Sequence, residues 1–432
     1  MIQKTRSFVF FLIIFLIPNQ LGLHFWPKFS FINGIRVDYL SPTLYLLDIL
    51  IILLFVLTLP DIKKTQIIPK NPYFRNLALF IVFVLIINLF LSASPFAHIF
   101  GLIKVIEFSC FGIYVYSFFN RKDILYLSET LALGGIFSSI LSFFQFANQG
   151  SLGGIFYLAG ERSFVSSTIG IALMNINGNS VLRPYSSFPH PNVFAFFLLL
   201  VLTISVSVFS FQKYLKDKIF FLITIFITSA ALLLTFSRIV IFCMMLVYLV
   251  LFIKIIKKKF SNFVYSLPFI FALFLYATSF YSRFLNLNLL KRDFLFRIDL
   301  IDISFKIIRD NFFFGTGLNN FFLHEALFQK KVDASLLQPV HNIFLLAFAE
   351  VGVFGIIFLL FTLIYLIGLL IKKIQKEKGI EKNFHLGLLL LIVSIIIVGN
   401  FDHFFFTLEQ GMLIFSLILG LSFNNLKVKE SV

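Results

Sequence analysis

Charge is what this sequence has least of. Only 13% of its 432 residues are charged and 59% are hydrophobic, whereas soluble domains carry roughly a quarter charged residues. A soluble fold of this length could bury a large core, but it would still need a polar surface, and the residues to make one are missing. Cysteine is scarce as well. Cys110 and Cys243 both fall within apolar runs, which excludes a disulfide framework and a cysteine zinc site. Histidines and carboxylates show no ligand spacing of the His-Glu-x-x-His kind, so no metal site is expected. Gly315-Thr316-Gly317 is too short for a dinucleotide or phosphate-binding glycine loop, so no nucleotide cofactor is expected either. Internal repeats, the mark of many carriers, are not seen.

What is present is a succession of apolar runs of the length a helix needs to cross a hydrocarbon core, about 17–25 residues. They lack the period-2 alternation of barrel strands, so the fold class is an all-α integral membrane protein. Twelve spans are expected, near 8–25, 42–60, 75–93, 97–119, 124–147, 191–211, 219–236, 238–254, 262–280, 342–371, 384–400 and 406–423. The first is expected to be retained, because Pro18-Asn19-Gln20 stand where a signal cleavage site would be. Residues 1–432 then form a single polytopic domain.

Net charge is +16. In a soluble protein that would suggest nucleic acid, but no nucleic-acid motif accompanies the basic segments. Lys4 and Arg6, Lys63-Lys64, Arg121-Lys122, Lys213 to Lys218, Lys254 to Lys259, Lys372 to Lys382, and Lys427 with Lys429 instead fall on alternate connectors. The positive-inside rule makes their face cytoplasmic and places both termini there. Two long segments fall on the opposite face, 148–190 and the large loop 281–341 between spans 9 and 10. The loop carries an amphipathic pattern from Phe296 to Asn311. Ile298, Ile301, Phe305 and Ile308 recur at helical spacing, with Asp299, Asp302, Lys306, Arg309 and Asp310 on the other side. A second short helix is expected near Leu318–Lys331.

Several polar residues stand out at the outer boundary. Arg238 sits in a tight Thr235-Phe236-Ser237-Arg238 hairpin between two apolar runs. It is either a snorkelling anchor or a guanidinium facing an anionic headgroup. Arg297 is read as the first turn of the amphipathic helix, where the macrodipole disfavours a cation, and that mismatch points to an anionic partner. His341 and Asn342 precede the tenth span. His341 is either a polar cap or a general base. Glu350 lies nine residues later, in apolar surroundings and toward the far side of the helix, so the two are not a direct pair. Arg183-Pro184 and His190-Pro191-Asn192 lead into the sixth span, Asp402-His403 lies between the last two, and Lys104 with Glu107 forms an intrahelical pair.

Taken in order, Ser237-Arg238, Arg297, Phe314-Gly315-Thr316-Gly317 with Asn319 and Phe321, His341-Asn342, and Glu350-Val351-Gly352 resemble the O-antigen ligase and O-antigen polymerase superfamily. His190-Pro191-Asn192 and Asp402-His403 also look like its pattern, and the resemblance is densest from about 180 to 423. It implies a metal-independent, inverting glycosyltransferase of the bacterial inner membrane. The donor would be a glycan on a polyprenyl diphosphate, taken at the outer face, and the acceptor a glycan or a lipid. In that reading Arg238 and Arg297 stabilise the diphosphate leaving group, with Arg183 and Glu350 also in the substrate site. His341 activates the acceptor beside Asn342, and Gly315 and Gly317 let the loop approach the substrate. The rival reading is a carrier or flippase of lipid-linked oligosaccharide.

Overall fold

In the computed structural model, residues 2–64, 71–176, 179–256, 287–328 and 337–426 are described. The ninth expected span, 262–280, and the basic residues Lys427 and Lys429 lie outside them. Among the described residues the helices, in chain order, are α1 (Ile2–Phe15), α2 (Leu46–Thr58), α3 (Pro72–Leu91), α4 (Pro95–Phe118), α5 (Asp123–Asn148), α6 (Pro191–Phe209), α7 (Leu215–Leu234), α8 (Arg238–Ile256), α9 (Leu287–Asp310), α10 (Phe321–Phe328), α11 (Ile343–Lys376) and α12 (Gly379–Gly399). A single turn, α13 (Phe404–Thr407), precedes α14 (Glu409–Phe423). Seven of these, α3 to α7, α11 and α12, are long and apolar enough to cross a membrane. The fold is that of a mostly helical polytopic membrane protein.

The first two expected spans hold helices shorter than their apolar runs. At 1.5 Å per residue, the 14 residues of α1 and 13 of α2 fall short of a hydrocarbon core of about 30 Å. Pro18 and the polar pair after it stop α1. Residues 16–45 then form a layer of short strands, into which the expected spans 8–25 and 42–60 extend at 16–25 and 42–45. β1 (Gly22–His24) pairs with β4 (Thr43–Tyr45), and β2 (Phe31–Ile32) with β3 (Ile35–Arg36), both antiparallel. A third long connector thus joins 148–190 and 281–341. The middle connector also holds a hairpin, β5 (Leu173–Ile176) with β6 (Asn179–Leu182), so the chain is not strictly all-α.

Helix ends obey local chemistry. Asn71 accepts from the Tyr73 and Phe74 amides at 2.9 and 3.1 Å to cap α3. Pro72, Pro95 and Pro191 occupy first-turn positions, where a missing N–H is not needed. α6 is the hub of the bundle: nearly every side chain from Val193 to Ser205 is fully buried. One end of the bundle gathers Arg6 on Asp61 at 2.9 Å, Arg121 on Glu381, and Lys373 donating to the Ser422 carbonyl at 2.8 Å. The functional candidates gather at the other end.

α9 begins nine residues before the expected amphipathic stretch and ends one residue before its limit. Its charged side is as expected, with Asp299, Asp302, Lys306, Arg309 and Asp310 exposed. Its buried stripe is rotated, however. Leu300, Ile307 and Ile308 pack against Phe321, Val340, Leu346 and Ala349, while Phe305 points outward. Arg297 is therefore mid-helix, and the macrodipole argument for an anionic partner falls away.

Candidate functional site

α11 is broken where the site needs it. Gly352 has φ +73°, outside helical space, which releases the carbonyls before it from their usual partners. The loop after α9 takes them up. The amides of Thr316 and Gly317 donate to Ala349 and Glu350 oxygens at 2.9 Å, and Val353 N–H donates to the Phe312 oxygen at 2.9 Å. In a chain surrounded by hydrocarbon this exchange is required, because no water is at hand to satisfy them. It joins Phe314-Gly315-Thr316-Gly317 physically to Glu350-Val351-Gly352. Gly315 and Gly317, with φ +74° and +91°, approach Glu350 and the Ser92–His98 corner so closely that added Cβ atoms would lie 2.4 and 2.7 Å away. Both glycines permit close approach, but the approach is to protein, and neither lines the cavity. A Cβ at Gly352 would meet the Phe313 oxygen at 2.1 Å. Gly352→Ala is expected to destabilise the protein by about 2–3 kcal/mol, read as reduced thermal stability in detergent. Wild-type melting would refute this reading of the break.

The other expected site residues divide between framework and cavity. Asn342 caps α11, accepting from Phe344 and Leu345 amides at 2.9 and 3.0 Å. Glu350 lines the cavity, and its carboxylate accepts from the backbone of Phe321 and Asn319. Arg238 is the first residue of α8 and is exposed. The Thr235–Ser237 corner before it turns through Phe236 at φ +52°.

A cavity of about 1510 Å³ opens at this end. Arg183, His190, Asn192, Arg297, His341, Asp402 and His403 share its wall. Arg183 is held from two sides: Nε donates to the Thr235 oxygen at 2.7 Å, and Nη2 to Asn192 Oδ1 at 2.7 Å. Asn192 in turn donates to Asp402 Oδ2 at 2.6 Å, and the other Asp402 oxygen accepts from His403 N–H at 2.8 Å. The segment carrying Arg183 is fixed by Gln145, which donates to Glu161 at 2.7 Å and accepts from the Ser186 amide at 2.7 Å. Arg297 Nη1 donates to the Phe401 oxygen at 3.2 Å. His341 and His403 rings lie 5.0 Å apart, and His341 Nε2 lies 3.3 Å from Gln338 Oε1.

Burial sets the charges. Desolvation lowers Arg183 to about 10, against the pull of Tyr185 and Asp402, so it stays a cation at neutral pH. Burial lowers His190 and His403 to about 3, and it depresses His341 also, with Asp402 opposing and Arg297 assisting. Burial would raise Asp402, but His403, His341, His190 and the Asn192 amide bring it down to about 2. The site therefore holds cationic guanidiniums, neutral imidazoles and one buried carboxylate.

Sequence spacing missed one grouping. Candidate ligand atoms of His341, Asp402 and His403 lie within 4.8 Å of one another, a cluster invisible to motif spacing because its members are remote in the chain. Both Asp402 oxygens already accept N–H donors and His403 Nδ1 is 2.6 Å from Thr407 Oγ1, so Asp402 and His403 are engaged as a hydrogen-bond network, whereas His341 Nδ1 is buried with no hydrogen-bond partner among the described residues. A second such group, Asp48, Glu107 and Glu409, surrounds Lys104, which bridges all three at 2.7, 3.1 and 3.2 Å. The expected Lys104–Glu107 pair is part of this larger knot between α2, α4 and α14.

Fold and site together define a class: a polytopic helical membrane protein whose basic, histidine-bearing cavity opens at one end of the bundle. Residues 223–360 match the model of the O-antigen ligase family, which bears out the resemblance read from the sequence. The matched stretch holds Arg238, Arg297, Gly315, Gly317, His341, Asn342 and Glu350, and leaves Arg183, His190, Asp402 and His403 outside it. No match was found among curated proteins.

Proposed function

We propose that this chain is a glycosyltransferase of the O-antigen ligase or polymerase type, acting at the outer face of the bacterial inner membrane. Its donor is a glycan on polyprenyl diphosphate, and its acceptor is a further glycan or a lipid. The observation that carries the reading is that one cavity combines the guanidiniums of Arg183 and Arg297 and the neutral His341 with an apolar floor. That floor, lined by Phe74, Val82, Val105, Phe108 and Phe358 from α3, α4 and α11, suits an isoprenoid tail. The guanidiniums suit the diphosphate, where planar forks match phosphate oxygens.

Chemistry then follows from the charges. An acceptor hydroxyl brought to the unprotonated ring nitrogen of His341 gives its proton to that nitrogen as its oxygen bonds to the anomeric carbon. The anomeric C–O bond to the diphosphate breaks, and its electron pair leaves with the phosphate oxygen, inverting the sugar. Arg183 and Arg297, with Arg238 at the rim, offset the negative charge that develops. Arginines supply this stabilisation without a metal in the mechanism. Transfer is therefore expected to stay within about twofold of control after chelation, since no step is routed through metal. A large loss restored by a divalent ion would contradict this and direct attention to His341, Asp402 and His403.

The neutral form of His341 is the active one, and burial holds its pKa below the ordinary 6.5. The imidazole thus stays unprotonated further into acid, and activity is lost only as pH falls through the lowered value. The acid limb of kcat is expected to have its midpoint below about 6.5. A midpoint above that, abolished by no His341 variant, would remove His341 as the base.

A further inference from the structure

We propose that the layer formed by residues 16–45 carries a sugar-binding platform for the glycan acceptor, centred on Trp26. The inference rests on the transferase reading and assigns the side of the cavity that the donor does not use. Trp26 is the only tryptophan in the chain, and it lines the cavity together with His24, Arg36, Asp38 and Tyr39.

The platform is built rather than incidental. The Arg36 guanidinium lies over the indole at 4.4 Å from its centroid, and Arg36 Nε pairs with Asp38 at 3.3 Å. The His24 ring is near-parallel to the indole, 18° between planes and 6.2 Å between centroids, and its Nδ1 is tied to Thr43 Oγ1 at 2.8 Å. The β1–β4 and β2–β3 ribbons hold these residues in place. Burial and the Arg162 and Arg36 charges lower the His24 pKa, with Asp38 opposing, so Arg162 lies within electrostatic reach of the same wall.

This combination fits a pyranose. The C–H face of a sugar ring carries partial positive charge and stacks on the electron-rich face of an aromatic ring. Fixed carboxylate and guanidinium groups beside it suit vicinal hydroxyls, and a few placed polar groups on an aromatic wall are how small-ligand sites gain orientation. The wall also leads to the reaction centre. Tyr39 stacks on Phe322 at 5.4 Å and meets the His403 ring edge-on at 5.6 Å, and His403 is the neighbour of His341. A hydroxyl held at His341 would thus belong to a sugar whose neighbours run along Tyr39 toward Trp26. Arg183 and Arg297 are left for the diphosphate. A tryptophan at a membrane boundary can instead serve as an interfacial anchor, and the test separates the two.

Because Trp26 is the sole indole, its fluorescence reports this place directly and without turnover. The full chain, in discs of phosphatidylethanolamine and phosphatidylglycerol, would be titrated with oligosaccharide released by mild acid from the host's own surface polysaccharide. A saturable change in Trp26 emission is expected, with its midpoint raised about tenfold in Asp38→Ala and Arg36→Ala, the loss of roughly one good aromatic or polar contact. In the transfer assay Trp26→Ala is expected to raise the acceptor KM about tenfold while kcat holds, and Trp26→Phe to recover part of it. A transferring protein whose emission ignores glycan but follows lipid composition would overturn the platform and make Trp26 an anchor. So would unchanged acceptor KM in Trp26→Ala. A saturable response in a protein that transfers nothing would support the platform and sink the transferase reading instead.

Discussion

His341→Ala is expected to lower kcat for glycan transfer by about 10²–10⁴-fold, the usual contribution of a positioned general base. The ring is neutral because of burial and stands 5.0 Å from His403 and 3.3 Å from Gln338 Oε1, but among the described residues it caps no helix and holds no backbone group. Asn342 does the capping of α11. Membrane insertion and melting should therefore match wild type, and donor binding should be retained because the guanidiniums are untouched. A variant with near-normal polysaccharide ladders would leave His341 as a boundary residue. A variant that fails to insert would make its role structural.

Arg183→Gln carries the second large effect, about 10²–10³-fold in kcat, comparable to removing one fixed donor from a developing anion. Arg183→Lys should rescue little. Two different nitrogens of Arg183 donate to two different oxygens, Thr235 O and Asn192 Oδ1, whereas a single ammonium on a flexible stem cannot hold that fork. The bond to Thr235 O ties the connector before α6 to the corner before α8, and the bond to Asn192 ties it to α6 itself, so some stability loss accompanies the change. A melting curve run beside the kinetics separates the two effects, since the loss in kcat should persist well below the melting transition. Arg238→Ala is expected to cost less than Arg183→Gln, because Arg238 is exposed at the rim and solvent screens its charge. The reverse order would mean that the diphosphate binds at the rim and not in the cavity.

Much of this was legible in the chain. Apolar run length located the long helices, and the alternation of basic connectors agrees with a bundle in which Arg6, Arg121 and Lys373 gather at one end. The family's scattered motifs were also readable in order. Other features were hidden for physical reasons. Apolar character alone does not tell a full span from a short helix followed by strands, so the expected spans 8–25 and 42–60 overrun the strand layer at residues 16–25 and 42–45. The glycines of Phe314-Gly315-Thr316-Gly317 look like substrate contacts in isolation. Only the break at Gly352 reveals that their partner is the backbone of α11. Arg297 looked like a helix start because the charged pattern begins there, although the helix itself starts earlier. The Arg183–Asn192–Asp402 chain joins residues more than two hundred positions apart, through hydrogen bonds that no local spacing encodes. His190-Pro191-Asn192 and Asp402-His403 are visible as patterns in the sequence. Their joint position beside His341 is what makes them part of one network.

The central claim is that this cavity transfers glycan from a lipid diphosphate, and reconstitution tests it most directly. Purified protein in lipid would be supplied with polyprenyl-diphosphate glycan, with neither metal nor nucleotide added, and the products separated by chain length. The account predicts new glycosidic products with release of polyprenyl diphosphate: longer lipid-linked chains for a polymerase, or glycan on a second acceptor for a ligase. Intact donor moved across the bilayer with no new glycosidic bond would contradict it and establish transport in its place.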